Sequence, residues 1–150
     1  MVEYGDYECP YCGAAYPVVK ELQRHFRARL RFVFRNFPLS QMHPHAEHAA
    51  EAAEAAGAMG KFWEMHDTLY EHQRALSDPD LLRYAASVGV DPATVAEALI
   101  AQTYRERVRS DFTSGVHSGV NGTPSFFING EKYDGSYDAG ALRKAIDATS

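Results

Sequence analysis

Two cysteines separated by two residues constrain this chain more than any other feature of its sequence. Cys9 and Cys12 are its only cysteines, and they follow Val2–Tyr7, a short run that is typical of a strand. Pro10 lies between them, and proline is favoured in the first turn of a helix, where its missing N–H removes no hydrogen bond. The pattern predicts a strand that leads directly into a helix at the two cysteines.

This junction favours the chemistry of a thiolate. The first N–H groups of a helix have no partner within it and the helix dipole is positive at this end, so both favour an anion. The anion would be the thiolate of Cys9, the species that attacks a disulfide. Cys12 lies one turn further on the same helix face, where it can resolve a mixed disulfide formed by Cys9. We therefore expect Cys9 to attack and Cys12 to be more buried.

A metal site is the main alternative for two cysteines at this spacing. A structural zinc site needs four ligands, and the other two candidates come from His43, His45 and His48. The sequence has no second CxxC pair, and an iron–sulfur cluster would need about four thiolates. A redox couple without a metal or a cofactor is therefore favoured, since two sulfurs carry the electrons themselves, and zinc stays open as a weaker alternative.

Length, charge and hydropathy narrow the function classes. The 150 residues correspond to about one domain. The net charge is −5, and the one basic segment, residues 24–35, interleaves its charges with apolar side chains, so we expect no nucleic-acid partner. No apolar run approaches the ~20 residues of a membrane span, and no signal peptide precedes the first strand. The chain as given predicts a cytoplasmic protein, and a trimmed N-terminus would instead allow a periplasmic or other extracytoplasmic one.

The rest of the sequence predicts a mixed α/β chain with a block of helices in its middle. Asn129–Gly130 is a strong signal for a two-residue hairpin, and we expect the helical apolar stripes, which include Ile100, to pack in the core. The expected strands are 2–7, 30–36, 125–128 and 131–133, and the expected helices cover about 11–27, 45–56, 61–73 and 104–116, with shorter ones that begin at Asp78, Asp91 and Asp138.

Five segments that cover nearly the whole chain carry a resemblance to a known family. They are VEYGDYECPYCGAAYPVV, FVFRNFPL, HPHAEHAAEAAEAAG, FWEMHDTLY and GVNGTPSFFING. In this order they resemble the bacterial DsbA-like proteins and, equally, the DsbA-like domain fused to some sodium/proton antiporters. The resemblance implies one domain over 1–150 with a thioredoxin-like α/β fold. About 1–37 and 119–150 would form the core, and about 43–117 a helical insertion between the βαβ and ββα halves.

The resemblance also implies roles for residues around the cysteines. Pro124 would be the cis-proline that faces the CxxC motif, and the backbone of Thr123 would pair with a substrate strand. Glu3 would be the acid beneath the active site that assists proton transfer at the buried cysteine. The alternatives are that Thr123–Pro124 merely begins a strand and that Glu3 lies on the surface.

Two departures from the family pattern carry further expectations. Pro10 and Tyr11 would tune the couple, and Tyr11 stands where the best-known oxidase of the family has histidine. A neutral phenol stabilises a thiolate less than an imidazolium does, so we expect a less oxidising couple than ~−120 mV, towards the ~−270 mV of thioredoxin. The family's first strand is also absent before Val2, which leaves a free sheet edge that could pair in a homodimer.

The sequence thus predicts a thiol–disulfide oxidoreductase that acts on protein thiols and disulfides and is recycled by an unidentified redox partner. In this family the helical insertion covers the active site, and Met42, Phe62 and Trp63 are candidates for its apolar lining. One alternative is a redox-sensing or partner-binding module of a larger protein, with a membrane partner only if a transporter domain is fused to it. Another is a glutathione-linked transferase or isomerase.

Overall fold

A mixed β-sheet forms the centre of the protein, as seen in a computed structural model that describes residues 1–149. β1 (Val2–Gly5) pairs in parallel with β2 (Val33–Asn36) and antiparallel with β3 (Ser125–Ile128). β4 (Glu131–Tyr133) pairs antiparallel with β3, so the order across the sheet is β2-β1-β3-β4. Since the parallel strands β1 and β2 need a crossover connection, the helix that follows the cysteines runs between them.

The helices divide between this α/β core and the predicted insertion. They are α1 (Pro10–Phe26), α2 (Ala46–Ala58), α3 (Phe62–Glu71), α4 (Asp78–Ser87), α5 (Pro92–Ala101), α6 (Arg105–His117) and α7 (Ala139–Ala148). Helices α2 to α6 lie between β2 and β3 in the chain. This is the thioredoxin-like α/β fold with a helical insertion that the sequence predicts.

The sheet has two packed faces because successive side chains of a strand point to opposite sides. On one face, α1 and α7 bury Leu22 and Leu142 against Ile128 of β3. On the other face, Phe112 of α6 stacks on Phe37 with the ring centroids 4.2 Å apart. Alternation places Glu3 and Gly5 on the α1 face of β1, which is the face that carries the two cysteines.

Both parallel strands are shorter than predicted. β1 ends at Gly5 rather than Tyr7 because the chain turns at Asp6. The carboxylate of Asp6 accepts a hydrogen bond from the N–H of Glu8, and its carbonyl accepts one from the N–H of Cys9. β2 begins at Val33 rather than Leu30 because Arg27–Arg29 forms a turn of 3-10 helix. These turns shorten the sheet at both ends of α1.

Two details of the short helices also differ from prediction. Ser77 caps α4, one residue before the predicted Asp78, because Ser77 and Asp80 form a reciprocal capping box. Ile100 is 84% exposed rather than buried. Its neighbours on the helical stripe, Val95 and Leu99, are buried, so Ile100 lies at the solvent-facing edge of the stripe.

Local signals at other positions are confirmed. Asn129 and Gly130 both have positive φ, 49° and 86°, as a tight hairpin turn requires. Asp91 caps α5 by accepting the N–H of Ala93, two positions on, and Asp138 caps α7 by accepting the N–H of Ala141, three positions on.

β2 is an edge strand, because no strand within residues 1–149 pairs with its outer side. This matches the missing first strand, and a homodimer through that edge stays a prediction. Ser150, which ends the predicted core range, lies outside the described residues. No helix within residues 1–149 combines the length and apolar character that a membrane crossing needs.

Candidate active site

Cys9 and Cys12 lie at the junction between β1 and α1. Cys9 is the N-cap residue of α1 with an extended backbone, and Pro10 occupies the first helical position. Both cysteines are free thiols. Cys12 has no exposed surface and Cys9 exposes only 4%. Cys12 is the deeper of the two, but Cys9 is also largely covered, and only a narrow approach to its sulfur remains.

The surroundings of Cys9 favour its thiolate. A hydrogen bond from the Cys12 thiol, supported by the backbone N–H groups of Cys12 and Tyr11, lowers the pKa of Cys9 to about 5 against the opposing effect of burial. When protonated, the Cys9 thiol faces the carbonyl oxygen of Thr123 at 3.6 Å. Cys9 is therefore charged at neutral pH in the dithiol state.

Cys12 and Glu3 behave in the opposite way. Burial, and then the hydrogen bond to Cys9, raises the pKa of Cys12 well above its ordinary value. Glu3 is 3% exposed, so it is not the surface residue that the sequence left open. Burial, and then the negative charge of Cys9, raises the pKa of Glu3 to about 8. A buried carboxyl that titrates near neutral pH beside a buried thiol can exchange a proton with it.

The Thr123–Pro124 peptide bond is cis and lies against Cys9. An open groove begins at this bond and runs along the start of β3 towards β4. Tyr11, which is 69% exposed, stands at its mouth. The groove is lined by Tyr11, Asn121, Gly122, Thr123, Pro124, Ser125, Lys132, Tyr133, Asp134, Gly135 and Tyr137.

The residues proposed for an apolar lining from the insertion do not line this groove. Met42 is 71% exposed and lines a separate depression with Leu39 and Phe112. Phe62 packs against Trp63, whose indole covers Phe32. The predicted lining is therefore wrong, because Trp63 packs against Phe32 and Phe62 against Phe34, at the beginning of β2, and neither ring lines the groove.

The histidines of the zinc alternative are engaged elsewhere. His43 Nδ1 lies 2.8 Å from the buried carboxylate of Asp6, and His48 Nδ1 lies 2.7 Å from Asp78. Residues 1–149 contain no group of three or more His, Cys, Asp or Glu side chains that could hold a metal ion. The fold does not assemble the ligands that a zinc site at the cysteines would require.

Gln73 is a site residue that the sequence did not single out. It follows α3, and its Nε2 donates to the carbonyl oxygens of Tyr7 and Cys9, each at 2.9 Å. Its side-chain oxygen occupies the place of a side chain at Gly13, where a Cβ would be only 1.9 Å from it. A glycine directly after Cys12, inside a helix, was the available signal of this close approach.

A buried aromatic cluster connects the site to α3. The hydroxyl of Tyr7 lies 2.9 Å from His66 Nδ1, and burial lowers the pKa of His66 to about 3. Tyr70 packs against Tyr7 with the ring centroids 4.9 Å apart. The sequence placed His66 and Tyr70 on one apolar helix face but gave no sign that they reach the strand before the cysteines.

The chain is similar to known sequences over nearly its whole length. A family model described as Thioredoxin matches residues 1–148. The chain is 48% identical over 146 residues to the Na(+)/H(+) antiporter NhaA 1 of Salinispora arenicola, a match that covers 97% of this chain and 22% of that protein. It is 41% identical over 150 residues to the Na(+)/H(+) antiporter NhaA 1 of Mycobacterium sp. (strain KMS), covering 99% and 24%. The chain thus spans about a quarter of the length of these relatives.

Solved structures share the fold over nearly the whole chain. Oxidised BdbD from Bacillus subtilis superimposes with a TM-score of 0.89 at 24% identity, over 98% of this chain and 84% of that one. A thioredoxin-like oxidoreductase from Silicibacter pomeroyi gives 0.87 at 29% identity, over 99% and 84%. The thiol-disulfide exchange protein α-DsbA2 from Wolbachia pipientis gives 0.85 at 24% identity, over 99% and 80%.

Proposed function

This chain belongs to the thioredoxin family and has a DsbA-like thiol–disulfide oxidoreductase fold, and from that premise we propose that it exchanges a Cys9–Cys12 dithiol or disulfide with cysteines of other proteins. The observation that carries the proposal is a stabilised Cys9 thiolate directly beside a buried Cys12 thiol. A nucleophile and a resolving thiol with well separated acidities are what two-step exchange requires.

In the reducing direction, the Cys9 thiolate attacks one sulfur of a substrate disulfide. The S–S bond of the substrate breaks, one substrate thiolate leaves and takes up a proton, and a mixed disulfide with Cys9 forms. Cys12 then gives its proton to Glu3 and attacks the Cys9 sulfur, which releases the second substrate thiolate. The substrate gains two electrons, and the Cys9–Cys12 disulfide is formed. The reverse sequence delivers a disulfide to a substrate.

Glu3 is suited to this second step because its acidity follows the charge on Cys9. In the dithiol state the Cys9 thiolate helps to keep the carboxyl protonated. Once Cys9 is held in a mixed disulfide, that negative charge is gone, and the carboxyl ionises more easily. Glu3 therefore becomes a better base at the stage at which Cys12 must lose its proton.

The groove beside Thr123–Pro124 is the proposed substrate site. The backbone of Thr123 faces Cys9, and an extended peptide can add to this backbone as a further strand while its cysteine reaches the sulfur. Tyr11 at the mouth of the groove supplies a neutral ring, so we propose a potential between ~−270 mV and ~−120 mV, less oxidising than the upper value. A potential near the upper end would suit a disulfide donor outside the cytoplasm, and one near the lower end a cytoplasmic reductase or isomerase.

Equilibration with glutathione buffers, followed by alkylation and mass measurement, tests the couple. We expect one reversible two-electron transition and catalysed reduction of insulin. Cys12→Ser should trap a mixed disulfide with a substrate, and Cys9→Ser should trap none. No reversible transition at all, or equal trapping by the two variants, would contradict the proposal.

The length of the relatives favours a second candidate. The chain matches about a quarter of proteins named as sodium/proton antiporters, so the same couple could sense redox state as a module of a membrane transporter. The insulin assay separates the two functions. Turnover supports the exchange enzyme, whereas clean redox cycling without turnover supports the sensor.

A further inference from the structure

Tyr70 has a buried hydroxyl that has no role in the proposed exchange mechanism. Its side chain extends from α3 into the core and is 6% exposed, and the hydroxyl has no hydrogen-bond partner among the described residues. Burying an unpaired hydroxyl costs about 1–3 kcal/mol, so buried polar atoms without a partner are uncommon and call for an explanation.

The hydroxyl of Tyr70 and the carboxyl of Glu3 border one small space above Gly5. Gly5 follows Glu3 by two positions on β1, on the same face of the sheet. A Cβ on Gly5 would lie 2.5 Å from Phe34 Cε2, 2.9 Å from the Tyr70 hydroxyl and 3.0 Å from Glu3 Oε2. Because glycine has no Cβ, the ring edge of Phe34 and both polar groups can approach the backbone here, and any other residue would clash with them.

We propose that Tyr70 is a positioning residue for proton transfer at Glu3, because its hydroxyl donates a hydrogen bond to the Glu3 carboxylate through one water molecule beside Gly5, or directly after a small movement of the two side chains. A water there would have two polar partners, the smallest number that a buried water needs. This inference rests on the proposed function, since it gives the helical insertion a part in the resolving step.

No other group around Glu3 can take this place. The Tyr7 hydroxyl is already paired with His66, and none of the salt bridges within residues 1–149 includes Glu3. The neighbours of Glu3 on each element are Cys9 and Cys12 at the start of α1, Tyr7 of the loop before it, Tyr70 of α3, and the non-titrating Phe34 of β2 and Phe126 of β3.

The hydrogen bond has a defined effect on the resolving step. There, the proton leaves Cys12 Sγ and binds to a carboxylate oxygen of Glu3 as the Cys12 sulfur attacks Cys9. A donor that faces the carboxylate favours the ionised form that must be present before the transfer. Without the hydroxyl of Tyr70, Glu3 ionises only at higher pH, and the resolving step shifts to higher pH with it.

Tyr70→Phe in the reduced full chain tests the proposal, with Tyr16→Phe as the matched control. Tyr16 stacks on Tyr70 with the ring centroids 5.4 Å apart, but its hydroxyl points outward to Glu71 at 3.5 Å. The titration midpoint of the Glu3 carboxyl is followed by carbon-13 NMR. We expect Tyr70→Phe to raise the midpoint by on the order of half a pH unit or more and Tyr16→Phe to leave it unchanged. An unchanged midpoint in folded Tyr70→Phe would overturn the proposal.

Two further measurements keep the outcome clear. In the Glu3→Gln background, adding Tyr70→Phe should leave the pH profile of exchange unaltered, and a further shift there would contradict the proposal. If Tyr70→Phe does not fold, incorporation of 3-fluorotyrosine at position 70 should lower the Glu3 midpoint, because its hydroxyl is the stronger donor. The NMR midpoint needs no turnover, so a chain without exchange activity would refute the proposed function and still report on Tyr70.

Discussion

Buried carboxylates have opposite surroundings in two regions of the molecule. One is the α6 side, where α6 contacts α2 and the end of β2, and the other is the α1 side, around Cys9 and the start of α1. On the α6 side, Glu51 and Asp111 are 1% and 5% exposed. Arg105 approaches Glu51 Oε2 at 3.1 Å, and Arg107 pairs with Asp111. The backbone N–H and the side chain of Asn36 both donate to Asp111 at 3.0 Å. These contacts join α2, α6 and β2.

On the α1 side, Glu3 is buried to the same degree but has no cation beside it among residues 1–149. A buried ion is tolerated when a partner offsets the loss of its hydration. Without such a partner, burial keeps Glu3 protonated up to about pH 8. The difference teaches that the α6 side uses buried charge to hold elements together, whereas the α1 side keeps a carboxyl whose proton can move near neutral pH.

The largest expected effect comes from breaking a pair on the α6 side. Arg105→Met leaves Glu51 buried without its cation, so we expect the free energy of unfolding to fall by about 3–5 kcal/mol, as measured by urea denaturation. The matched control is Lys61→Met, which removes the exposed pair with Glu64 and should cost less than about 1 kcal/mol. Equal losses in the two variants would show that the α6 pair is not a structural one.

Removing the charge of Glu3 should have the opposite sign. The folded chain raises the pKa of Glu3 from 4.5 to about 8, so wild-type stability decreases as pH rises between these values. Glu3→Gln in the reduced chain should therefore increase the free energy of unfolding by about 3 kcal/mol at neutral pH.

The pH dependence of this gain is the diagnostic part of the prediction. It should be absent below about pH 4.5, where Glu3 is protonated in both the folded and the unfolded chain. The exposed Glu64→Gln serves as the control, with no pH-dependent gain. Denaturation curves at several pH values measure both variants, and a gain that is independent of pH would mean that Glu3→Gln acts through packing alone.

Features of this fold that depend only on residues close together in the sequence could be predicted from it. The junction of strand and helix at Cys9 follows from its local pattern, and the turn at Asn129–Gly130 follows from the positive φ that these residue types tolerate. The C-terminal end of β1 was less predictable, since it depends on the side chain of Asp6, which also accepts the N–H of Leu39 from another part of the chain.

Features that depend on docking of the insertion were beyond the sequence. Gln73 bonds to backbone atoms 64 and 66 residues away, and no pattern in a single sequence reports such a pairing. Tyr70 lies on the apolar stripe of the predicted helix 61–73, which on its own indicates only a buried ring. The position of its hydroxyl depends on the depth to which α3 packs on β1, which only the assembled fold defines.

Gln73→Ala should have an intermediate effect. It sharpens the comparison because it tests whether neutral hydrogen bonds anchor the backbone of the α1 side. The variant removes the amide that donates hydrogen bonds to the carbonyls of Tyr7 and Cys9. We therefore expect the free energy of unfolding to fall by about 1–2 kcal/mol and exchange to become slower. Gln41→Ala, in an exposed loop, is the control. Urea denaturation and the insulin assay measure both, and wild-type behaviour of Gln73→Ala would leave the anchoring role unsupported.

The smallest expected effect concerns the acidity of Cys9. Ultraviolet absorbance of the thiolate in the reduced chain should titrate with a midpoint of about 5. Glu3 is still protonated at that pH because its own pKa is about 8. Replacement by the neutral Gln should therefore move the Cys9 midpoint by less than about 0.3 unit, well under the unit or more that a nearby charge produces. A clear decrease in the Cys9 midpoint in Glu3→Gln would mean that Glu3 is ionised beside the thiolate, and the contrast between the α6 side and the α1 side would then fail.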